Sequence, residues 1–254
     1  LKRKHLSKVA LVMGPSGAGK TTAIGQIPEV GIKGLDPKET FVFNSLGKDL
    51  PFPGSAVDYT YWHKENNPEG NMLKTSNSMV VLQWMDYINS KMPHIKSIVI
   101  DDNTHQSSME YIRRIKESGW EKFNDIAANM VAIAEKAGSL RDDLVVFILH
   151  HTTSTGDGLI EDKKIEAQTL GKLVKEKLGS YEAFFTVILL AQKAKTHDGG
   201  IDYSFLTQDA DSTAKTPIGM FKEARIPNDL GFVRDTVVNY YEKKKNNVKV
   251  KESK

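Results

Sequence analysis

Residues 14–21 read Gly-Pro-Ser-Gly-Ala-Gly-Lys-Thr, a complete G-x-x-x-x-G-K-[ST] phosphate loop, and the apolar run at 9–13 before it has the length and composition of a buried strand. A strand, a glycine-rich turn and a helix in that order form a cradle for polyphosphate. Gly14, Gly17 and Gly19 let the backbone N–H groups of Pro15's neighbours, Ser16 and Ala18 turn inward. Lys20 reaches the β- and γ-phosphates, the Thr21 hydroxyl suits Mg²⁺, and Thr22 completes the turn. A helix over 19–27 would add its N-terminal dipole to the same anion. The loop thus predicts a site for ATP and Mg²⁺.

The rest of the chain alternates strand-like and helical runs, the pattern of a mainly parallel sheet with helices on its faces. Strands are predicted at 40–44, 97–100 and 144–149, and helices at 79–92, capped by Ser76 or Ser78, and at 123–137. Residues 45–75 read as irregular. The segments 186–192 and 203–207 flank Asp198-Gly199-Gly200, a hairpin signal. With 254 residues and 39% hydrophobic content, the chain can bury a substantial core in a single domain over 1–241.

The strand at 97–100 leads into Asp101-Asp102, and the strand at 144–149 into His150-His151. A strand ending in an aspartate beside the phosphate loop is what Mg²⁺ coordination requires, which assigns Asp101 to the metal with Thr21. Asp102 is the nearest candidate to orient or deprotonate an attacking water, a helix cap being the alternative. One of the two histidines, His150 foremost, can hydrogen-bond the γ-phosphate. Two histidines without further spaced ligands do not form a zinc site.

Charge is uneven. The net +3 divides into +4 over residues 1–8, +4 over the lysine-rich 242–254 and −5 between them. A generally basic surface coating nucleic acid is thereby excluded, and the tail at 242–254 reads as solvated and disordered, a nucleic-acid arm being the alternative. There is no cysteine, no apolar run long enough to span a bilayer and no signal-like N-terminus, which together suggest the cytoplasm and no membrane partner.

Several blocks carry a resemblance beyond the phosphate loop: Leu-Gly-Lys-Asp-Leu-Pro-Phe at 46–52, Ile-Val-Ile-Asp-Asp at 98–102, Gly-Trp-Glu-Lys-Phe at 119–123 and Thr-Leu-Gly-Lys at 169–172. Phe-Phe-Thr-Val-Ile-Leu at 184–189 and Thr-Ala-Lys-Thr-Pro-Ile-Gly-Met-Phe at 213–221 continue it, followed by Ile226-Pro227-Asn228-Asp229. In these the chain resembles the phage-encoded, single-domain RecA-like P-loop ATPases of single-strand annealing and recombination. The resemblance implies an α/β RecA-like P-loop NTPase fold with a C-terminal β-hairpin, DNA-stimulated ATPase activity in the host cytoplasm, and assembly into a ring or filament. It also implies single-stranded DNA, and a single-strand-binding protein, as partners.

Two loops facing DNA are implied as well. The first falls near 104–122, where Arg113, Arg114, Lys116, Trp120 and Lys122 interleave cations with an aromatic ring, a pattern suited to sequence-tolerant strand binding; a solvated amphipathic helix is the alternative. The second, 152–168, is net negative. Lys215 matches the position from which RecA-like proteins send a cation into the neighbouring subunit's γ-phosphate. These proteins usually place a catalytic Glu after their second strand, and Asn44-Ser45-Leu46 offers none, leaving Asp102, Asp49 or Asp58 as the base. A packaging or assembly ATPase is the nearest alternative. A nucleotide-type kinase is disfavoured, because six arginines form no lid-like cluster.

Overall fold

The computed structural model describes residues 7–156, 164–169 and 180–252, the last ten by their backbone. Its centre is a sheet in which six neighbouring strands run parallel. These are β1 (Lys8–Met13), β2 (Thr40–Asn44), β3 (Met72–Lys74), β4 (Ser97–Asp101), β5 (Val145–His150) and β8 (Val187–Lys195). Antiparallel β9 (Ile201–Leu206) and β10 (Arg225–Pro227) extend one edge, giving the order β10-β9-β8-β1-β5-β4-β2-β3. The expected α/β architecture with a C-terminal hairpin is therefore present. A separate antiparallel pair joins β6 (Thr152–Thr155) to β7 (Lys164–Ala167).

Parallel strands covered on both faces are apolar at every position, and the pleat divides their side chains between two cores. Leu11, Met13, Phe41, Phe43, Ile98 and Ile100 point to one face, under α2 (Ser78–Lys91) and α4 (Glu121–Ser139). Ala10, Val12, Val42, Val99, Phe147 and Leu149 point to the other, where Leu230, Val233 and Val237 of α5 (Leu230–Glu252) pack with Ala23 and Ile24. α1 (Ser55–Asp58) is a single turn, and α3 (Asn103–Arg113) leaves the C-terminal end of β4.

Four expectations need correction. No α-helix follows the phosphate loop over 19–27, only a 3₁₀ turn at Thr22–Ile24. The chain becomes extended at Gly25 (φ −72°, ψ 149°), where a Cβ would overlap the Phe52 ring, and Pro28 disfavours helix in the residue before it. The cap of α2 is Asn77, whose side chain accepts from the Met79 amide, and not Ser76 or Ser78. The irregular 45–75 stretch contributes β3 to the sheet edge. The lysine-rich segment from 242 is helical to Glu252 as part of α5, not an unstructured tail. Among the described residues no helix is long and apolar enough to cross a membrane.

Candidate nucleotide site

The phosphate loop leaves β1 at the C-terminal end of the parallel strands, where Asp101 and Asp102 at the end of β4 and His151 after β5 also lie. Gly14 packs so closely on β8 that a Cβ would lie 2.7 Å from the Ala191 carbonyl oxygen, and Gly17 and Gly19 adopt left-handed φ of 74° and 84°. Side chains at these positions would fill the concavity or strain the backbone. The anion-binding geometry comes from the loop itself, since the turn that follows is too short to supply a helix dipole.

Lys20 is nearly buried, and its Nζ donates to the carbonyls of Gly14 (2.7 Å) and Pro15 (2.9 Å). Burial lowers its pKa to about 8, against the opposing pull of Asp102 and Asp101. The ammonium is thus held at the loop and remains largely charged near neutral pH.

β4 is not the strand next to the loop: β5 lies between β1 and β4. Two strand spacings, about 10 Å, separate the backbones. Thr21 and Asp101 bridge that gap, the threonine Oγ1 donating to Asp101 Oδ1 at 2.9 Å. Burial raises the Asp101 carboxyl to about pKa 6, with the Thr21 hydrogen bond opposing.

Hydroxyl and carboxylate oxygens side by side at the end of a phosphate cradle fit Mg²⁺, which takes one or two protein oxygens and completes its shell with phosphate and water. No group of three or more His, Cys, Asp or Glu that could hold a metal ion occurs among the described residues.

Asp102 is both cap and pocket residue. It is the one non-glycine with positive φ (63°) among the described residues, and its Oδ1 accepts the His105 amide at 3.0 Å to start α3. Its Oδ2 lies 3.3 Å from His151 Nε2. Burial pushes its pKa up, but the hydrogen bond and charge of His151 and the His105 amide outweigh this and hold the carboxyl below its usual range. An aspartate kept ionised beside an imidazole can accept a proton from water or hold the imidazole in place.

Of the two histidines it is His151, not His150, that lines the cleft. Consecutive residues of a strand face opposite ways, so His150 continues the Val146 and Ile148 row into the core. There it is fully buried against Tyr181, with Nε2 donating to the Gln168 carbonyl at 2.7 Å and burial lowering its pKa to about 4. His150 is a neutral core residue.

The cleft has a volume of about 510 Å³ and runs along residues 16–22. On one side stand Asp101, Asp102 and His151. Beyond β4 in the sheet, the loop after β2 adds Leu46, Lys48 and Asp49 and is held in shape by Asn44, whose Oδ1 accepts the Gly47 amide and whose Nδ2 donates to the Lys48 carbonyl, both at 2.7 Å. Asp49 therefore belongs to the site, whereas Asp58 lines a different surface cleft. Tyr203 and Asn228 form the remaining wall. Sequence pattern singles out Asn228 only as part of its block, and assigns Tyr203 no role in the site.

The remaining predicted residues lie elsewhere. The 104–122 segment is mostly α3 and the turn after it. Arg113 donates to the Ser76 hydroxyl (3.0 Å) and carbonyl (2.9 Å). Arg114 pairs with Glu117 and Asp125, both at 2.8 Å, and with Glu110 at 3.5 Å. Lys122 is buried and donates to the Glu117 carbonyl at 2.6 Å. Lys116 is exposed, and Trp120 is 74% exposed. Lys215 is exposed in the segment after β9 that runs beside the start of β8, its backbone exchanging hydrogen bonds with Ile188, and it does not line the cleft of its own chain. Of the 152–168 loop, residues 157–163 lie outside the described residues, as do 1–6 and 170–179.

No protein-family model and no curated protein matches this chain. Among solved structures it is similar to a KaiC-like protein, PH0186, from the hyperthermophilic archaeon Pyrococcus horikoshii OT3, with 14% identity, 83% of this chain and 82% of that chain covered, and a TM-score of 0.40.

Proposed function

We propose that this protein binds Mg·ATP and hydrolyses it as a RecA-like P-loop ATPase, acting as an oligomer on single-stranded DNA in phage recombination or annealing. The observation that carries the ATPase reading is the Thr21–Asp101 hydrogen bond, which joins the phosphate loop to an acid two strands away. Thr21 and Asp101 would hold Mg²⁺, which supplies charge neutralisation to the phosphates. Lys20 binds the β- and γ-phosphates, and Asp102, oriented by His105 and His151, takes the proton of the attacking water.

The oligomer rests on Lys215, whose exposed position away from its own cleft suits a cation acting on a neighbour's γ-phosphate. The same loop projects Ile218, 94% exposed, an apolar contact that a second subunit would cover. Strand contact falls to Lys116 and Trp120, with Arg113 and Arg114 able to join only by exchanging their present partners for phosphates.

That internal pairing favours a second reading, in which the same ATPase drives assembly or packaging and meets protein or duplex DNA instead. Hydrolysis rates with and without single-stranded DNA separate the two. Stimulation supports the first. An unchanged rate, with hydrolysis intact, supports the second, and absence of ATP hydrolysis in any condition removes both.

A further inference from the structure

The two walls of the cleft differ in chemistry. Asp101, Asp102 and His151 come from the β4 and β5 side of the phosphate loop, whereas Tyr203 is on β9, two strands from β1 in the opposite direction. A triphosphate held by a metal at Thr21 and Asp101 would extend away from those acids. Its sugar and base would then leave the cradle on the Tyr203 side.

The hairpin is built against the loop there. Lys193 and Tyr203 are directly opposed in the β8–β9 register and so share one face. A Cβ at Gly17 would lie 3.5 Å from Lys193 Nζ, and one at Gly19 would lie 3.0 Å from Tyr203 Cδ1 and 3.1 Å from the Asn228 amide. Asn228 is buried, its Nδ2 3.4 Å from the Ala18 carbonyl oxygen, and ties the chain after β10 to the loop. Tyr203 is 42% exposed as a residue while lining the cleft, and Ile32 lines the same cavity. An aromatic ring held at the edge of a phosphate cradle, with its own surface open, is a stacking platform.

We propose that Tyr203 is the residue on which the nucleobase of the bound triphosphate stacks, Asn228 serving as the positioning residue that fixes the hairpin to the phosphate loop. This rests on the nucleotide reading above and adds what distinguishes a nucleotide from bare polyphosphate.

Equilibrium binding of Mg·ATP and of magnesium tripolyphosphate to wild type, Tyr203→Ala and Tyr203→Phe tests it. Tyr203→Ala should weaken ATP roughly five- to a hundredfold, the worth of one base–ring stack, and leave tripolyphosphate unchanged, which also shows that the variant is folded. Tyr203→Phe should bind ATP as wild type does. Equal losses for both ligands, no loss for either, or a loss in Tyr203→Phe matching that in Tyr203→Ala would overturn the stacking role. If wild type binds ATP no more tightly than tripolyphosphate, the platform fails while the phosphate site stands. If it binds neither, the nucleotide reading itself fails.

Discussion

The phosphate-loop cleft and the 104–122 segment both carry charged side chains suggestive of function, yet their charges are partnered in opposite ways. In the cleft the key groups meet each other and face a cavity: Lys20 on the loop carbonyls, Thr21 on Asp101, His151 on Asp102. In the segment three of the four Lys and Arg cations are taken up by the protein, Arg113 by Ser76, Arg114 by Glu117 and Asp125, and Lys122 by the turn it closes, while Lys116 stays exposed. A motif whose chemistry is written in backbone geometry survives folding as read. A pattern of charge alone does not, because residues distant in sequence decide who pairs with whom.

The largest expected effect breaks the cleft side of this contrast. Lys20→Ala should lower ATP hydrolysis by roughly a hundredfold or more, since it removes a cation from phosphates whose charge is developing. Mixing that variant with Lys215→Ala, itself inactive if the cation acts in trans, should recover part of the rate through interfaces with one intact loop and one intact Lys215. Mixtures that co-assemble by sizing without recovering activity would confine Lys215 to a structural or solvent role.

Next in size is the identity of the base. Asp102→Asn should cut turnover by about a hundredfold or more with Mg·ATP affinity kept, because the amide preserves shape and loses basicity. If turnover survives Asp102→Asn but falls in Asp49→Asn, the proton goes to the loop after β2 instead.

His150 tests the distinction between core and cleft. The unfolded chain protonates this imidazole near pH 6.5 while the folded one resists until about 4, so its contribution to stability falls as pH drops through that window, by up to about 3 kcal/mol. Asp101, raised to about 6, gains a proton over the same window with the opposite effect on stability, so the readout is the difference between wild type and His150→Gln. Acid unfolding followed by circular dichroism should show that difference shrink as pH falls from 6.5 to 4, and a difference that stays constant would contradict the burial argument.

The smallest effect belongs to the 104–122 segment. Because Arg113 and Arg114 are already paired, replacing both by Ala should change the salt slope of single-strand affinity by less than about one counterion. A drop near two would mean that phosphates displace their present partners.

The sequence made the phosphate loop, strands β1, β2, β4 and β5, and the C-terminal hairpin legible because each is fixed by local pattern. It misplaced the segment after the loop, where the Phe52 ring packs into the space a side chain at Gly25 would fill, a contact between residues far apart in the chain. It could not choose between His150 and His151, because strand β5 is buried on both faces and its side-chain parity leaves no polar alternation to read. Asp49 was within reach, being near the second strand, but only the Asn44 hydrogen bonds show that its loop folds back on the cleft. Tyr203 and Asn228 reach the loop only through strand order.

The central claim is that Thr21 and Asp101 together hold the metal of a bound nucleotide. It is tested most directly by ATP affinity with and without Mg²⁺ in wild type and Asp101→Asn. Wild type should bind more tightly when Mg²⁺ is present, and Asp101→Asn should lose that gain while keeping its metal-free affinity. Relief of the buried carboxylate should at the same time stabilise the nucleotide-free variant at pH 7, on the order of 1–3 kcal/mol. An undiminished Mg²⁺ gain in Asp101→Asn, or no ATP binding by wild type, would contradict the account.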